Sequence, residues 1–104
     1  MTNSPYTALM FRTFSSKVNL DIMNAIYKCE VLRFNDFKSM LELEPVTIFN
    51  HTGELMRSGL IEKAVSMRNG IKVKSGYKFT AKGKKIYDNL KEFYLGVEKY
   101  ASIY

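Results

Sequence analysis

Between Pro45 and Arg57 the chain reads PVTIFNHTGELMR, and it holds residue types that could pair with the edges of nucleic-acid bases. An asparagine amide pairs bidentately with adenine, threonine and valine touch thymine methyls, and arginine reads guanine or holds a phosphate. Their spacing matters as much as their type. With Ile48 at the centre of a buried face and about 100° per residue, Thr52 and Leu55 fall within about 40° of it, and Phe49 and Met56 flank them. Val46, Thr47, Asn50, Gly53, Glu54 and Arg57 then point outward. That face has little bulk near the helix axis and can approach a groove floor closely. Gly53 costs a helix about 1 kcal/mol relative to alanine, which such an approach would justify. Glu54 repels phosphate unless it accepts from a cytosine amine or pairs with Arg57.

A second set of residues lies just downstream. Residues 63–91 hold nine Lys/Arg (Lys63, Arg68, Lys72, Lys74, Lys78, Lys82, Lys84, Lys85, Lys91) against one acid, Asp88. That segment is +8 in a chain of net charge +6, so the remaining residues are −2. Charge focused in this way is the footprint of a polyanion binder. A lysine-rich solvated face is the blander explanation, but solubility alone does not require so lopsided a distribution.

Other chemistries find no residues. One His and one Cys cannot make a His/Cys zinc site within one chain, so no metal and no cofactor is expected. Cys29 falls on the buried stripe of a helix, where it is a small apolar filler and not a nucleophile facing His51. His51 is expected to border the core or a phosphate. No phosphate-binding glycine loop is present. The expectation is a protein without catalytic residues.

The elements that must position these residues follow from periodicity and capping. The 104 residues suggest one domain, with 46 % hydrophobic and 25 % charged residues arguing for a folded chain. Ser15-Ser16 opens a helix over about 16–29, with Val18, Ile22, Ala25, Ile26 and Cys29 at three- and four-residue steps and Leu20, Met23 and Tyr27 widening the stripe. Asn35 or Asp36 caps a helix over about 35–42, whose apolar face is Phe34, Phe37, Met40 and Leu41. Pro45 is suited to a first helical position, so the reading helix begins there.

Gly59 supplies a left-handed stop. Leu60, Ile61 and Val65 fill a half-buried strand, Asn69-Gly70 is a hairpin turn signal, and Ile71-Lys72-Val73-Lys74 alternates strictly. Gly76 permits a bulge before a second alternating run, Tyr77–Thr80. Thr80 caps a last helix from about 81 to the end. Ile86, Leu90, Phe93, Val97, Tyr100 and Tyr104 recur there at steps of 4, 3, 4, 3 and 4, with Tyr87, Tyr94 and Ala101 beside them. This is a heptad seam on a helix roughly 36 Å long. A small domain covers only its first turns, so a second copy is expected to cover the rest. Folding back over residues 1–14 within one chain is the competing arrangement. Those first residues themselves fit a short helix or a strand.

Helix, two-stranded β-ribbon, helix is the back half of a winged helix-turn-helix. The expected fold is α+β, mainly α, with three helices, a two-stranded β-wing and a long C-terminal helix. The divisions are an N-terminal extension at 1–14, a winged-helix domain at 15–80 and a dimerisation helix at 81–104. SSKVNLDIMNAI resembles the opening helix of ArsR- and MarR-type winged helices. FNHTGELMRSGLIEK resembles their recognition helix with its Gly-Leu-Ile exit, and YKFTAKG resembles their aromatic-x-x-Thr-x-x-Gly wing closure. The seam makes the chain similar to small archaeal winged-helix proteins that dimerise by an antiparallel coiled coil.

The resemblance implies double-stranded DNA binding as a homodimer. Thr47, Phe49, Asn50 and Gly53 would face bases. Arg68, Asn69, Lys72 and Lys74 would sit on the wing, with Arg57 and Lys82 adding positive charge nearby. Ile86, Leu90, Phe93, Tyr94, Val97 and Tyr100 would form the dimer seam. A single Cys without a Cys-x-Cys departs from metal-sensing ArsR proteins. No apolar run is long enough for a membrane span and no secretory signal is apparent, so a cytoplasmic, nucleoid-associated protein is expected. A sequence-specific transcriptional regulator is the leading expectation. A low-specificity architectural DNA-binding protein and a winged-helix protein-interaction module are the competing ones.

Overall fold

A computed structural model describes residues 5–29 and 31–101, with side chains at 66–68 and 72–74 outside the description. The order is α1 (Pro5–Phe14), α2 (Lys17–Cys29), β1 (Leu32–Arg33), α3 (Phe34–Leu41), α4 (Pro45–Arg57), β2 (Ile61–Arg68), β3 (Ile71–Phe79) and α5 (Ala81–Ala101). The fold is a winged helix-turn-helix, mainly helical α+β with a small antiparallel wing and a long C-terminal helix.

Helices α2, α3 and α4 enclose the core with the base of the sheet. Ile22, Met23 and Ile26 of α2 meet Phe37 of α3 and Ile48 and Leu55 of α4, all buried. α1 is helical and joins this core through Met10. The serine signal is real. Ser16 Oγ accepts from the Asn19 backbone N–H at 3.3 Å, a capping bond at the start of α2.

The exit from α4 explains the Ser-Gly-Leu-Ile run. Gly59 adopts φ +79°, the Gly59 N–H donates to the Met56 carbonyl, and the Leu60 N–H donates to the Leu55 carbonyl, both at 3.0 Å. This is a Schellman stop, and Leu60 and Leu55 are both buried as its apolar partners. Thr80 then locks the ribbon base to α5. Its hydroxyl lies 2.7 Å from the Gly59 carbonyl and accepts from the Gly83 N–H at 2.9 Å, while its own N–H donates to the Leu60 carbonyl at 3.1 Å.

Several expectations need correction. The wing has three strands in the order β1-β3-β2, not two. β1 pairs Leu32 with Tyr77 and Arg33 with Gly76. Gly76 therefore serves close approach and not a bulge, because a Cβ there would come within 2.6 Å of the Leu32 carbonyl oxygen. The irregularity falls at Ser66/Met67, which pair with Lys74 and Lys72. Val65 is exposed, and Ala64 is the residue that turns inward.

Cys29 is exposed, because it is the last residue of α2 and lies past the buried stretch that ends at Ile26. Met40 is exposed too, leaving Phe37 as the buried anchor of α3. The α3 cap is neither Asn35 nor Asp36 in the first position. Asp36 reaches back from the first turn and accepts from the Arg33 N–H at 3.1 Å and from Arg33 Nε at 3.2 Å. Tyr104 of the expected seam lies outside the described residues.

Candidate nucleic-acid interface

α4 is amphipathic in the manner its spacing predicts. Ile48, Thr52 and Leu55 are fully buried, and Thr52 returns its hydroxyl to the Ile48 carbonyl at 2.7 Å, so no polar group is stranded inside. The opposite face is open. Val46 is 70 % exposed, Asn50 and Arg57 are exposed, and Thr47, Gly53 and Glu54 are half-buried.

Gly53 and Arg57 are brought together. The Arg57 guanidinium folds back so that its Nη1 lies 3.1 Å from where a Cβ on Gly53 would stand. The glycine thus leaves a seat for the arginine head. Phe49 is 61 % exposed and rests its ring on Phe34 with centroids 4.9 Å apart, which turns it toward the ribbon.

One residue that holds α4 in place carried no sequence signal. Asn19 is fully buried on α2. Its Nδ2 donates to the Thr13 carbonyl at 3.0 Å and its Oδ1 faces His51 Nδ1 at 2.8 Å. Because the amide nitrogen is committed to a carbonyl, Oδ1 is the acceptor and His51 carries its proton on Nδ1. This chain of bonds ties α1, α2 and α4 together and accounts for His51 as a bordering residue of the core.

The ribbon turn is as its residues demand. Asn69 and Gly70 have φ +52° and +76°, the signs of a type I′ turn, and both are exposed. Arg68 pairs with Ile71 across it. The side chains of Arg68, Lys72 and Lys74 lie outside the described residues. Lys82 stands apart from the ribbon tip. It sits over the Tyr6 ring, 3.9 Å from the centroid, while the Tyr6 hydroxyl donates to the Ser58 carbonyl at 3.3 Å.

α5 buries its start and bares its end. Tyr87 is buried, stacks on Phe79 and donates to Asn24 Oδ1. Burial first, then Tyr27 and Asp88, push its phenol above the ordinary value. Ile86 and Leu90 are half-buried, whereas Phe93 and Tyr100 are 65 % and 67 % exposed and Tyr94 and Val97 are also exposed. Among the described residues, no cluster of His, Cys, Asp and Glu could hold a metal, and no helix is long and apolar enough to cross a membrane.

No protein-family model and no curated protein sequence matches the chain. Solved structures do. A MarR-family transcriptional regulator from Enterococcus faecalis superposes with a TM-score of 0.77 at 19 % identity, covering 98 % of this chain and 93 % of that one. The transcriptional regulator YodB of B. subtilis, in its reduced form, gives 0.74 at 17 % identity, covering 90 % of each chain. HlyU of Vibrio cholerae gives 0.68 at 19 % identity over 90 % of this chain and 97 % of that one. The chain therefore has the winged helix-turn-helix fold of MarR- and ArsR-like regulators.

Proposed function

We propose that this protein is a homodimeric, sequence-specific transcriptional regulator that binds double-stranded DNA inside the cell, at the nucleoid. α4 enters the major groove, with Thr47, Phe49, Asn50, Gly53 and Arg57 toward the bases. The ribbon, through Arg68, Asn69, Lys72 and Lys74, lies on the backbone or in the minor groove, and Lys82 adds a phosphate contact at its base. The observation that carries this reading is the division of α4. Ile48, Thr52 and Leu55 face the core, and the side bearing Asn50 is exposed. The regulators that share the fold lend it support.

Dimerisation rests on α5. Phe93, Val97 and Tyr100 continue the spacing of Ile86 and Leu90 but are exposed in one protomer, and Tyr94 borders the same row. A two-fold partner would cover them and set two copies of α4 about one DNA turn, roughly 34–36 Å, or a multiple of it apart. Selection of bound duplexes from a random pool tests this. An enriched inverted repeat is expected, and a pool without any enriched motif contradicts it.

The eight-to-one excess of lysine over arginine in residues 63–91 favours a second reading, an architectural protein holding phosphates with little sequence preference. If the dimer neutralises about six to ten phosphates, log K falls against log salt with a slope of roughly −5 to −9. A specificity ratio near one would select this reading. No binding to any duplex at low salt would leave a protein-interaction module.

A further inference from the structure

Between α4 and the ribbon lies a cleft of about 320 Å³, bounded by Phe34 and Phe49 on the helical side and by Lys63, Val65 and Ser75 on the sheet side. Ala64, Gly76 and Tyr77 complete its lining. Two apolar side chains on this cleft remain open to solvent, Phe49 at 61 % and Val65 at 51 % exposure. Lys63, exposed at the rim, is the lining residue with a charge.

The placement of the cleft determines what can cross it. The case that matters is the one in which α4 occupies a major groove and the ribbon tip meets the adjacent minor groove, one of the two ribbon placements of the reading above. Two adjacent grooves of a duplex are separated by one sugar–phosphate strand. That strand must therefore pass over the cleft between helix and ribbon, presenting sugars and phosphates and no base edges. Lys63 supplies an ammonium for a phosphate. Phe49 and Val65 offer hydrocarbon to the sugars between phosphates.

We infer that this cleft is a deoxyribose seat, which makes the protein discriminate DNA from RNA at the sugar itself. A deoxyribose presents a methylene at C2′, which packs on apolar walls without loss. A ribose presents a hydroxyl there, donor and acceptor, which would shed water against Phe49 and Val65 with no partner in exchange. The neutral hydroxyls of the lining belong to Ser75 and Tyr77, so the penalty belongs to the nucleotides over Phe49 and Val65 and not to one within reach of either hydroxyl. The inference rests on the DNA-binding reading, moves Phe49 from the bases to the sugars, and adds a component of recognition that neither the base contacts of α4 nor the ribbon tip supplies.

The test is a scan of single ribonucleotides through a bound duplex, read by fluorescence anisotropy with the full-length wild-type protein. Each substitution changes one sugar and leaves the remaining duplex as DNA. The expected result is a loss of about tenfold at one or two positions per half-site, between the bases read by α4 and those beneath the ribbon, with changes under about twofold elsewhere. Val65→Thr, which keeps the branched shape on the exposed strand face and adds a hydroxyl, is expected to shrink that penalty severalfold at those positions. Circular dichroism confirms that the variant is folded. A flat scan on a duplex that the protein binds overturns the inference, as does a penalty that Val65→Thr leaves unchanged. Failure of the all-deoxy duplex to bind at all contradicts the DNA-binding reading instead, so the two failures are distinguishable.

Discussion

A Cβ on Gly83 would overlap the carbonyl oxygen of Leu60, so the first turn of α5 lies directly on the backbone where the ribbon begins. Thr80 stitches the same junction from the side through its bonds to Gly59, Leu60 and Gly83. The Thr-x-x-Gly spacing thus has a mechanical meaning. It sets the angle at which the long helix leaves the domain. Gly83→Ala is expected to cost about 3 kcal/mol or more, because backbone and not a flexible side chain must move. Thr80→Val is expected to cost about 1–2 kcal/mol from the lost cap. Urea unfolding monitored by circular dichroism checks both.

Asn19 positions α4 from its buried side. Replacing it with alanine leaves the His51 Nδ1–H without this partner and the Thr13 carbonyl with only its longer bond from the Ser16 N–H at 3.4 Å, both close to the core. A loss of about 1–3 kcal/mol is expected. Amide exchange should rise at the α1–α2 junction and along α4 before it rises in α5. Uniform exchange across the chain would show that the three-helix link is not local.

Tyr87 gives stability a pH dependence at the alkaline end. Its folded pKa lies above the ordinary 10.0, so the folded protein holds the phenol proton more tightly than the unfolded chain. The contribution is whole below pH 10 and fades as pH rises through the folded value. Wild-type stability is expected to fall above about pH 10 more steeply than that of Tyr87→Phe. The variant is expected to lose about 1 kcal/mol at neutral pH with its bond to Asn24. Parallel slopes for the two proteins would contradict the assignment.

The exposed half of α5 separates folding from assembly. Phe93→Glu combined with Val97→Glu puts charge on positions that a single protomer leaves uncovered. Protomer stability should change by no more than about 1 kcal/mol, since both sites are solvent-accessible. Sedimentation equilibrium should move from the mass of two chains to that of one. An unchanged mass would place the dimer contact elsewhere.

Much of this architecture was legible before any coordinates. The inner face of α4, the Gly59 stop, the Asn69-Gly70 turn and the Thr80 cap are local devices, and local devices leave patterns of residue type. What escaped is long-range or marginal. β1 is two residues long, too short for any alternation, and exists because Gly76 lets it approach. The Asn19–His51 bond joins residues 32 apart in the chain, and a lone asparagine inside an apolar stripe reads as an accident until its partner is seen. Periodicity alone turns Cys29, Met40 and Val65 inward. Each sits at an element end or on a face that the core does not reach. The contact of Phe49 with Phe34 joins α4 to α3, and helix spacing alone does not indicate it.

The most direct test is a comparison of wild type, Asn50→Ala and Lys72→Ala/Lys74→Ala on a selected duplex and on a scrambled one across a salt series. Asn50→Ala is expected to lower affinity for the selected site by tenfold or more and to leave scrambled binding nearly unchanged, in keeping with about 1–3 kcal/mol per bidentate base contact. The lysine pair is expected to weaken both duplexes alike and to flatten the salt slope by about 3–4, for four phosphates in a dimer. If Asn50→Ala leaves the ratio of the two affinities untouched, α4 does not read the bases and the central claim fails.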